Sequence, residues 1–276
     1  MKLALVTMKP KIADIKSNLQ KMEKYIKKTK ADMYIFGEMN ITGYPLKDEL
    51  RDYAETKDGE LIKKIKKLAK DNKAYIIAGL PTRDEKVQGL IYNSAILVHP
   101  NGKVDIYNKW FLPTFGPFEE KIFFDEGESL TISETKFGKI GLIVCYDIFF
   151  PEICKAYALL GCDIIICISA SPSITRKYFE ILIPARAIEN TVFMVYTNIV
   201  GTQENLIFWG GSQIYDPLAN ELIKAPYFKE SIVTCDINLK DIKKARANRP
   251  VIRDIRPVIY NDLYEISRKH KSIKKK

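Results

Sequence analysis

The chain has 276 residues, of which 46% are hydrophobic and 28% are charged, and its formal net charge is +10 at pH 7. This apolar content is typical of a globular protein and excludes a disordered chain. The positive charge is compatible with a nucleic-acid partner, but no known nucleic-acid motif accompanies it, so we do not expect one. No apolar run approaches the ~18 residues of a membrane span, and residues 2–6 are too short for a signal peptide, so we expect no membrane contact.

The hydrophobic pattern alternates between strands and helices. Apolar runs predict strands at residues 2–8, 33–36, 75–79, 90–98, 103–107, 140–144, 163–168 and 191–198. Apolar residues at helical spacing predict helices after the first two strands and at residues 151–160 and 177–189. The turn Pro100-Asn101-Gly102 predicts a hairpin, and residues 207–215 and 231–237 are interpreted as further hairpin strands. Strand–helix alternation with an added hairpin predicts an α/β protein in which helices cover two sheets.

The most informative segment is the predicted strand at residues 140–144 together with the turn after it. The strand leads into Cys145, Asp147 and a Pro151-Glu152 pair that predicts a helix start. A thiol at the carboxyl end of a strand, before a turn, is where an α/β protein displays a nucleophile. The two histidines are poorly placed to deprotonate it, since one lies in a turn and the other in a lysine-rich tail. If Cys145 is catalytic, another residue must accept its proton.

Two other strand ends supply the missing charged groups. The second predicted strand leads to Glu38, and the strand at residues 103–107 leads to Lys109. A carboxylate can act as a base, and a nearby ammonium stabilises an anion. Because ligands of open α/β sheets bind outside the carboxyl ends of the strands, we expect Glu38, Lys109 and Cys145 to share one site.

These three residues lie in motifs that resemble the signatures of the nitrilase, or carbon–nitrogen hydrolase, superfamily. The motifs are Glu38 before Gly43-Tyr44-Pro45, Lys109 before Leu112-Pro113, and Cys145-Tyr146-Asp147 before Phe150-Pro151-Glu152. The resemblance implies a four-layer α-β-β-α sandwich over residues 1–245 that carries a Glu-Lys-Cys triad. It also implies a homodimer or a higher homo-oligomer, and a reaction that needs no metal or other cofactor.

By this resemblance, the chain is expected to hydrolyse an amide through a thioester on Cys145. Glu38 would take the thiol proton and return it to the departing amine. Lys109 and the backbone N–H of Tyr146 would donate hydrogen bonds to the oxygen on which negative charge gathers. Water would then hydrolyse the thioester to a carboxylic acid.

Two further residues are predicted to position the substrate. Glu120, in preference to its neighbour Glu119, resembles a second glutamate of the family that positions the substrate or supports Lys109. Arg176 follows a strand end and could bind a substrate carboxylate through two hydrogen bonds. The alternative for Arg176 is a surface arginine at a helix start.

The identity of the substrate stays open at this point. The run Cys145-Tyr146-Asp147 is closer to amidase and Nit-like members than to true nitrilases, which typically carry Cys-Trp-Glu. We therefore predict a small-molecule amide, with an N-carbamoyl amine or a nitrile as alternatives. A non-catalytic binding protein on the same fold is an alternative of another class, although Glu38, Lys109 and Cys145 are all present.

Residues 246–276 are predicted to form a C-terminal arm with a basic tail. Prolines at 250 and 257 without a helical stripe predict an extended arm over residues 249–265, a segment that in similar proteins often crosses to a partner subunit. The basic runs at residues 268–271 and 274–276 are interpreted as a solvated tail. Five cysteines without a disulfide pattern or zinc spacing indicate a reducing, cytoplasmic setting.

Overall fold

The computed structural model describes residues 1–87 and 89–273, which fold into two large sheets flanked by helices. The helices are α1 (Ile15–Lys28), α2 (Leu50–Tyr53), α3 (Glu60–Asn72), α4 (Glu120–Phe123), α5 (Pro151–Leu159), α6 (Arg176–Asn190), α7 (Lys240–Asn248) and α8 (Pro257–Ile273). The strands are β1 (Lys2–Thr7), β2 (Met33–Phe36), β3 (Tyr75–Arg83), β4 (Ile91–Val98), β5 (Val104–Asn108), β6 (Ile132–Thr135), β7 (Gly138–Val144), β8 (Ile164–Ser169), β9 (Phe193–Asn198), β10 (Val200–Gln203), β11 (Leu206–Trp209), β12 (Gln213–Tyr215), β13 (Glu221–Lys224) and β14 (Ser231–Asp236).

The first sheet joins strands from both ends of the chain, in the order β14-β1-β2-β3-β4-β5. Strands β1, β2 and β3 are parallel, whereas β4, β5 and β14 each pair antiparallel with their neighbours. Strands β4 and β5 form the hairpin that the sequence predicts. All four residues of β2 are buried, as expected of a parallel strand that is covered on both faces.

The second sheet has the order β13-β12-β9-β8-β7-β6. Its central strands β7, β8 and β9 are parallel, and antiparallel strands extend both edges. Every residue of β8 is buried, which fits its continuous apolar run. A separate hairpin of β10 and β11 follows β9.

The two large sheets pack against each other, and helices cover their outer faces. Leu5 and Ile35 of the first sheet share one apolar cluster with Ile143 and Ile166 of the second. Helices α1 and α3 pack on the outside of the first sheet, and α5 and α6 pack on the outside of the second. The predicted four-layer α-β-β-α sandwich is therefore confirmed.

The hairpin strands predicted near the C-terminus are wrong in two respects. The run at residues 207–215 is divided into β11 and β12, because Gly210 and Gly211 have φ values of 69° and 61° that interrupt an extended strand. The run at 231–237 gives β14, which pairs with β1 in the first sheet rather than with a neighbouring hairpin strand. Strands β6, β10 and β13 have no counterpart among the predicted strands.

The extended conformation predicted for residues 249–265 is also wrong from Pro257 onward. Pro257 is the first residue of α8, where its fixed φ and missing N–H suit a helix start. Helix α7 continues through the predicted boundary at residue 245 and buries Ile242 in the core between the sheets. Whether residues 246–276 act as an arm stays a prediction.

Only the first of the two basic runs of the tail lies within the described residues. The run at residues 268–271 lies on the exposed last turns of α8. The run at residues 274–276 lies outside the described residues. Among the helices of residues 1–87 and 89–273, none is long and apolar enough to cross a membrane.

Candidate active site

Glu38 lies just beyond β2 and is held by both sheets. Its side chain is fully buried. Its backbone N–H donates to the carbonyl of Ser169 at 3.2 Å, and its Oε2 accepts the backbone N–H of Ala170 at 2.6 Å. From the first sheet, Asn93 Nδ2 and Lys109 Nζ donate to Glu38 Oε1 at 2.7 and 3.0 Å. Three donors from two sheets therefore fix the carboxylate in one position.

Two glycines allow the backbone to pack closely around Glu38. A Cβ atom on Gly79 would lie 2.4 Å from the backbone nitrogen of Met39. A Cβ atom on Gly37 would lie 2.7 Å from Cγ2 of Ile199, which follows the second sheet's β9. A side chain at either position would push apart the backbone segments that pack around Glu38.

Lys109 follows β5 and is fully buried between two glutamates. Its backbone N–H donates to the carbonyl of Asn93 at 2.9 Å. Its Nζ lies 3.0 Å from Glu38 Oε1 and 2.7 Å from Glu120 Oε1. Burial alone would lower the pKa of Lys109, but the charges of Glu120 and Glu38 outweigh burial and raise that pKa. Lys109 therefore remains a cation at neutral pH.

Glu120 is the first residue of α4, and only 4% of its surface is exposed. Its Oε1 accepts hydrogen bonds from Lys109 Nζ and from the Tyr44 hydroxyl, each at 2.7 Å. Burial raises the pKa of Glu120 to about 7, against the lowering effect of Lys109. The neighbouring Glu119 is exposed. The structure thus brings Glu120, rather than Glu119, to Lys109, while the role of Glu120 in binding substrate stays a prediction.

Cys145 begins a short 3-10 helix directly after β7. Its φ of 46° lies in the left-handed region, which is uncommon for a residue that carries a side chain. Only 7% of its surface is exposed. Burial raises the pKa of the Cys145 thiol, the Glu38 charge raises it further, and the Lys109 charge lowers it. The charges of Glu38 and Lys109 thus act on this thiol in opposite directions.

Asp147 connects the segment that carries Cys145 to the segment that carries Lys109. Its Oδ2 accepts the hydroxyl of Tyr107 at 2.8 Å and the last N–H of β7 at 2.9 Å. Its Oδ1 accepts the N–H of Phe111 at 3.0 Å. Burial raises the pKa of Asp147 to about 6, although Lys109 and these donors act to lower it. This fully buried carboxylate therefore anchors the turn that displays the thiol.

Two clefts lie beside these residues. One has a volume of about 240 Å³, and its lining includes Tyr44, Glu120 and Phe123. The other has a volume of about 420 Å³, and its lining includes Tyr146 and Phe150. The Tyr146 and Phe150 rings meet edge to face, with centroids 5.2 Å apart. Both clefts are large enough for part of a small molecule.

Arg176 makes its side-chain contacts away from this cluster. It is the first residue of α6, and its side chain is 41% exposed. Its guanidinium carbon lies 5.0 Å from the ring centroid of Tyr227, and its Nε lies 3.8 Å from Glu180 Oε2. These contacts fit the alternative of an arginine at a helix start. Its contact with a substrate carboxylate stays a prediction.

Asn93 and Tyr44 contact the buried glutamates, but the sequence alone gave neither a role. Asn93 carries a signal that could have identified it, because it is an amide inside the apolar run of β4 and is fully buried. Tyr44 belongs to the Gly43-Tyr44-Pro45 motif, but the motif alone does not show that its hydroxyl reaches Glu120.

The remaining thiols and histidines belong to other surroundings. Cys162 and Cys167 are fully buried in the core. His99 lies against Asp105, with 2.7 Å between Nε2 and Oδ2. The described part of the chain contains no group of three or more His, Cys, Asp or Glu residues that could hold a metal ion.

Comparison with known proteins gives a consistent result over nearly the whole chain. The family model for carbon–nitrogen hydrolases matches residues 2–247. A nitrilase of Pyrococcus abyssi is 33% identical over 269 residues, which cover 94% of this chain and 98% of the relative. The omega-amidase NIT2 of Bos taurus is 29% identical over 226 residues, or 79% of each chain. A crystal structure of a carbon–nitrogen hydrolase from Helicobacter pylori G27 superposes with a TM-score of 0.86 at 26% identity, covering 96% of this chain and 98% of that one.

The chain therefore belongs to the carbon–nitrogen hydrolase family, within the nitrilase superfamily. Its two six-stranded sheets and flanking helices are those of solved members of the superfamily. This superfamily consists of enzymes that hydrolyse carbon–nitrogen bonds, so the same class of reaction is supported for this chain.

Proposed function

We propose that this protein hydrolyses the amide bond of a small molecule, with Cys145 as nucleophile, Glu38 as proton carrier and Lys109 as oxyanion donor. The observation that carries the proposal is the buried contact of Lys109 with Glu38, together with a buried thiol displayed at the end of β7. A buried ion pair next to a thiol is costly to maintain for packing alone. Its arrangement suits the transfer of one proton and the stabilisation of one oxyanion.

The raised pKa of the Cys145 thiol determines how the reaction begins. Because burial keeps the thiol protonated at rest, the proton must leave as the sulfur attacks. Glu38 accepts that proton while the sulfur forms a bond to the amide carbonyl carbon. Lys109 Nζ and the backbone N–H of Tyr146 stabilise the resulting oxyanion.

The second half of the reaction returns each group to its starting state. The carbon–nitrogen bond breaks as Glu38 gives its proton to the departing ammonia or amine. Glu38 then takes a proton from water, and the hydroxide attacks the thioester carbonyl. The carbon–sulfur bond breaks, the acid leaves, and Cys145 regains a proton through Glu38.

Glu120 has a supporting role in this proposal. It shares Lys109 with Glu38, and it lines the cleft of about 240 Å³. Glu120 therefore keeps the ammonium from pairing with Glu38 alone, and it is within reach of a substrate in that cleft. The Tyr44 hydroxyl holds Glu120 in place through its 2.7 Å hydrogen bond.

An amide is the proposed substrate class, and an amide that bears a carboxylate is the first candidate. The similarity to an omega-amidase and the Tyr146-Asp147 pair after the nucleophile support it. Arg176 is the proposed carboxylate-binding group, and binding would require it to exchange its contact with Glu180 for the substrate. A nitrile is the second candidate, supported by the 33% identity to a nitrilase. An N-carbamoyl amine is the third. Five free cysteines support a reducing cytoplasm as the setting.

The test is a panel of small amides, ω-amides of dicarboxylic acids, N-carbamoyl amines and nitriles, scored by released ammonia. We expect turnover of at least one amide and an acyl adduct on Cys145 in peptide mass spectrometry. The Cys145→Ala protein should release no ammonia above background. Turnover by Cys145→Ala would overturn the mechanism, and a preference for nitriles over every amide would overturn the substrate class.

A further inference from the structure

We propose that Asn93 is a positioning residue that occupies Glu38 Oε1, so that Glu38 Oε2 is the atom that carries the proton. This inference rests on the proposed function, because it concerns the proton that Glu38 moves. Asn93 Nδ2 lies 2.7 Å from Glu38 Oε1, and both side chains are fully buried. Nothing in the carbon–sulfur chemistry requires an amide at this point, so the contact needs its own explanation.

The hydrogen bonds on the two carboxylate oxygens are unequal. A carboxylate oxygen accepts about two hydrogen bonds in its plane. Oε1 accepts two donors, from Asn93 and Lys109. Oε2 accepts one donor, the backbone N–H of Ala170. Among the described residues, the free acceptor position of this carboxylate is therefore on Oε2.

This difference assigns the proton to one atom. The Cys145 proton moves from Sγ to Oε2, and its bonding electron pair stays on sulfur for the attack on the carbonyl carbon. Oε1 keeps its two donors throughout, so the carboxyl group does not need to rotate between receiving and returning the proton. Without Asn93, Oε1 would have a free position of its own, and the proton could reside on an oxygen that faces Lys109.

The position of Asn93 in the fold explains how it holds this geometry. It lies within β4, paired with Pro81 of β3, and its carbonyl accepts the backbone N–H of Lys109 at 2.9 Å. One residue thus fixes the backbone that carries Lys109 and the carboxylate that Lys109 contacts. Its other amide atom, Oδ1, is buried and accepts no hydrogen bond from the described residues. An orphaned buried oxygen is unfavourable for stability, which points to the contact with Glu38 as the reason for the amide.

Two substitutions at Asn93 distinguish its proposed role in positioning Glu38 from a purely structural role of its side chain. Asn93→Ala removes the donor, and we expect kcat/KM to fall about 10- to 100-fold, the scale of one charge-assisted hydrogen bond. Asn93→Asp keeps the shape but places a second negative charge against Oε1, and we expect a larger loss at pH 7. The acidic side of the pH–rate profile should move to higher pH in Asn93→Ala, since the lost donor stabilises the charged form of the carboxylate.

The matched control is Asn18→Ala. Asn18 is a buried asparagine in α1 whose side chain hydrogen-bonds the backbone of Lys11 and Ile41 and is not among the donors to the Glu38 carboxylate. We expect Asn18→Ala to lower thermal stability and to leave the pH profile in place. A purely structural role for Asn93 would make the isosteric Asn93→Asp milder than Asn93→Ala and would leave both profiles where the wild type has them. Either result would overturn the proposal.

A second readout does not depend on any amide substrate. The rate at which iodoacetamide alkylates Cys145 is measured against pH by peptide mass spectrometry, in the wild type and in Asn93→Ala. We expect the alkylation profile of Asn93→Ala to move in the same direction as its pH–rate profile. If the wild type turns over no compound of the panel but Asn93→Ala still moves the alkylation profile, the proposed substrate class fails and the role of Asn93 stands. An unmoved alkylation profile in a folded Asn93→Ala protein removes that role.

Discussion

Glu38 and Lys109 form the centre of the site at the scale of single residues. Both are fully buried, and each depends on the other for its charge to be tolerated. We therefore expect Glu38→Gln and Lys109→Met each to reduce kcat about 10³-fold or more, as for removal of a general base or an oxyanion donor. Steady-state kinetics on a turned-over amide measure the loss. Because the residues act as a unit, the double variant should lose little more than either single one, and additive losses would contradict a shared role.

Glu120 gives the site an expected pH dependence. Its pKa is raised to about 7, so it gains a proton as the pH falls through that value. A neutral Glu120 no longer offsets the positive charge of Lys109. That charge then acts on Glu38 alone and makes the Glu38 carboxylate a weaker base. We expect kcat/KM to fall below pH 7 in the wild type, whereas Glu120→Gln should be less active and should lose activity only at lower pH, where the other groups of the site titrate.

The neighbouring Glu119→Gln is the control for this prediction. Glu119 is exposed, and the ion pair with Lys109 is made by Glu120. The Glu119→Gln variant should keep the wild-type limb near pH 7, as seen in a pH series of kcat/KM. If Glu119→Gln abolished the fall of kcat/KM below pH 7 and Glu120→Gln retained it, Glu119 rather than Glu120 would be the glutamate that causes it.

The sequence predicts the charged residues of the site but not the neutral ones. Glu38 and Lys109 each follow a strand of the first sheet and Cys145 follows a strand of the second, and strand ends of this kind are where α/β proteins bind ligands. Asn93 reaches Glu38 only because β4 pairs antiparallel with β3 and β5, and that register is not readable from local sequence. For Arg176 the sequence leaves two uses open, because a basic residue after a strand end can bind a substrate or, as here, lie over the ring of a surface tyrosine.

At the scale of elements, the short helix after β7 depends on Asp147. Burial raises the pKa of Asp147 to about 6 from 3.8, so the folded state holds its proton more tightly than the unfolded state does. The resulting stabilisation is complete below about pH 4 and is lost as the pH rises through about 6. The shift corresponds to about 3 kcal/mol. We expect the wild-type advantage over Asp147→Asn in free energy of unfolding to be greatest near pH 4 and to shrink by about that amount at pH 7.

Chemical denaturation of both proteins at several pH values measures this difference, and other titrating groups cancel in the comparison. A difference that stays constant from pH 4 to pH 7 would show that Asp147 titrates alike in both states. Asp147→Asn should also have reduced activity at every pH. The two carboxylate oxygens of Asp147 accept the three hydrogen bonds that fix the Cys145 turn, and asparagine has only one such oxygen.

Local patterns predict most elements of the sandwich, because buried parallel strands and amphipathic helices have distinct apolar spacing. Local patterns give a wrong prediction where the same residue type occurs in two different structural settings. Pro257 is typical of a chain break, yet here it begins α8. The pairing of β14 with β1 joins residues more than 220 positions apart, as in Thr7 with Ser231, and no local signal specifies it.

At the scale of the whole molecule, two apolar surfaces lack a partner within the described chain. One lies on α6 and the turn before it, where Ile174, Tyr178 and Ile181 are 70%, 54% and 58% exposed. The other is α8, on which Val258 and Leu263 are each more than half exposed. A helix of this length is only marginally stable alone in water, so contact with a partner subunit would stabilise it. We expect the protein to form at least a dimer.

Light scattering at micromolar concentration should give a mass of two or more subunits. Ile181→Glu places a charge in the exposed α6 surface and should shift the protein towards the monomer. Lys24→Glu, at an exposed charged position on α1, which covers the other sheet, should retain the wild-type mass. A wild-type monomer with full activity would contradict an obligate oligomer.

The return of the last strand to the first has a consequence for synthesis on the ribosome. Strand β1 lies between β2 and β14, so it remains an open edge until residues 231–236 have left the exit tunnel. During that time a strand with five buried residues out of six presents unpaired backbone groups to any neighbouring chain. Shielding this edge from other nascent chains therefore falls to chaperones or to rapid completion of translation. Chains that stop before Ser231 should accumulate as aggregates rather than as soluble, partly folded protein.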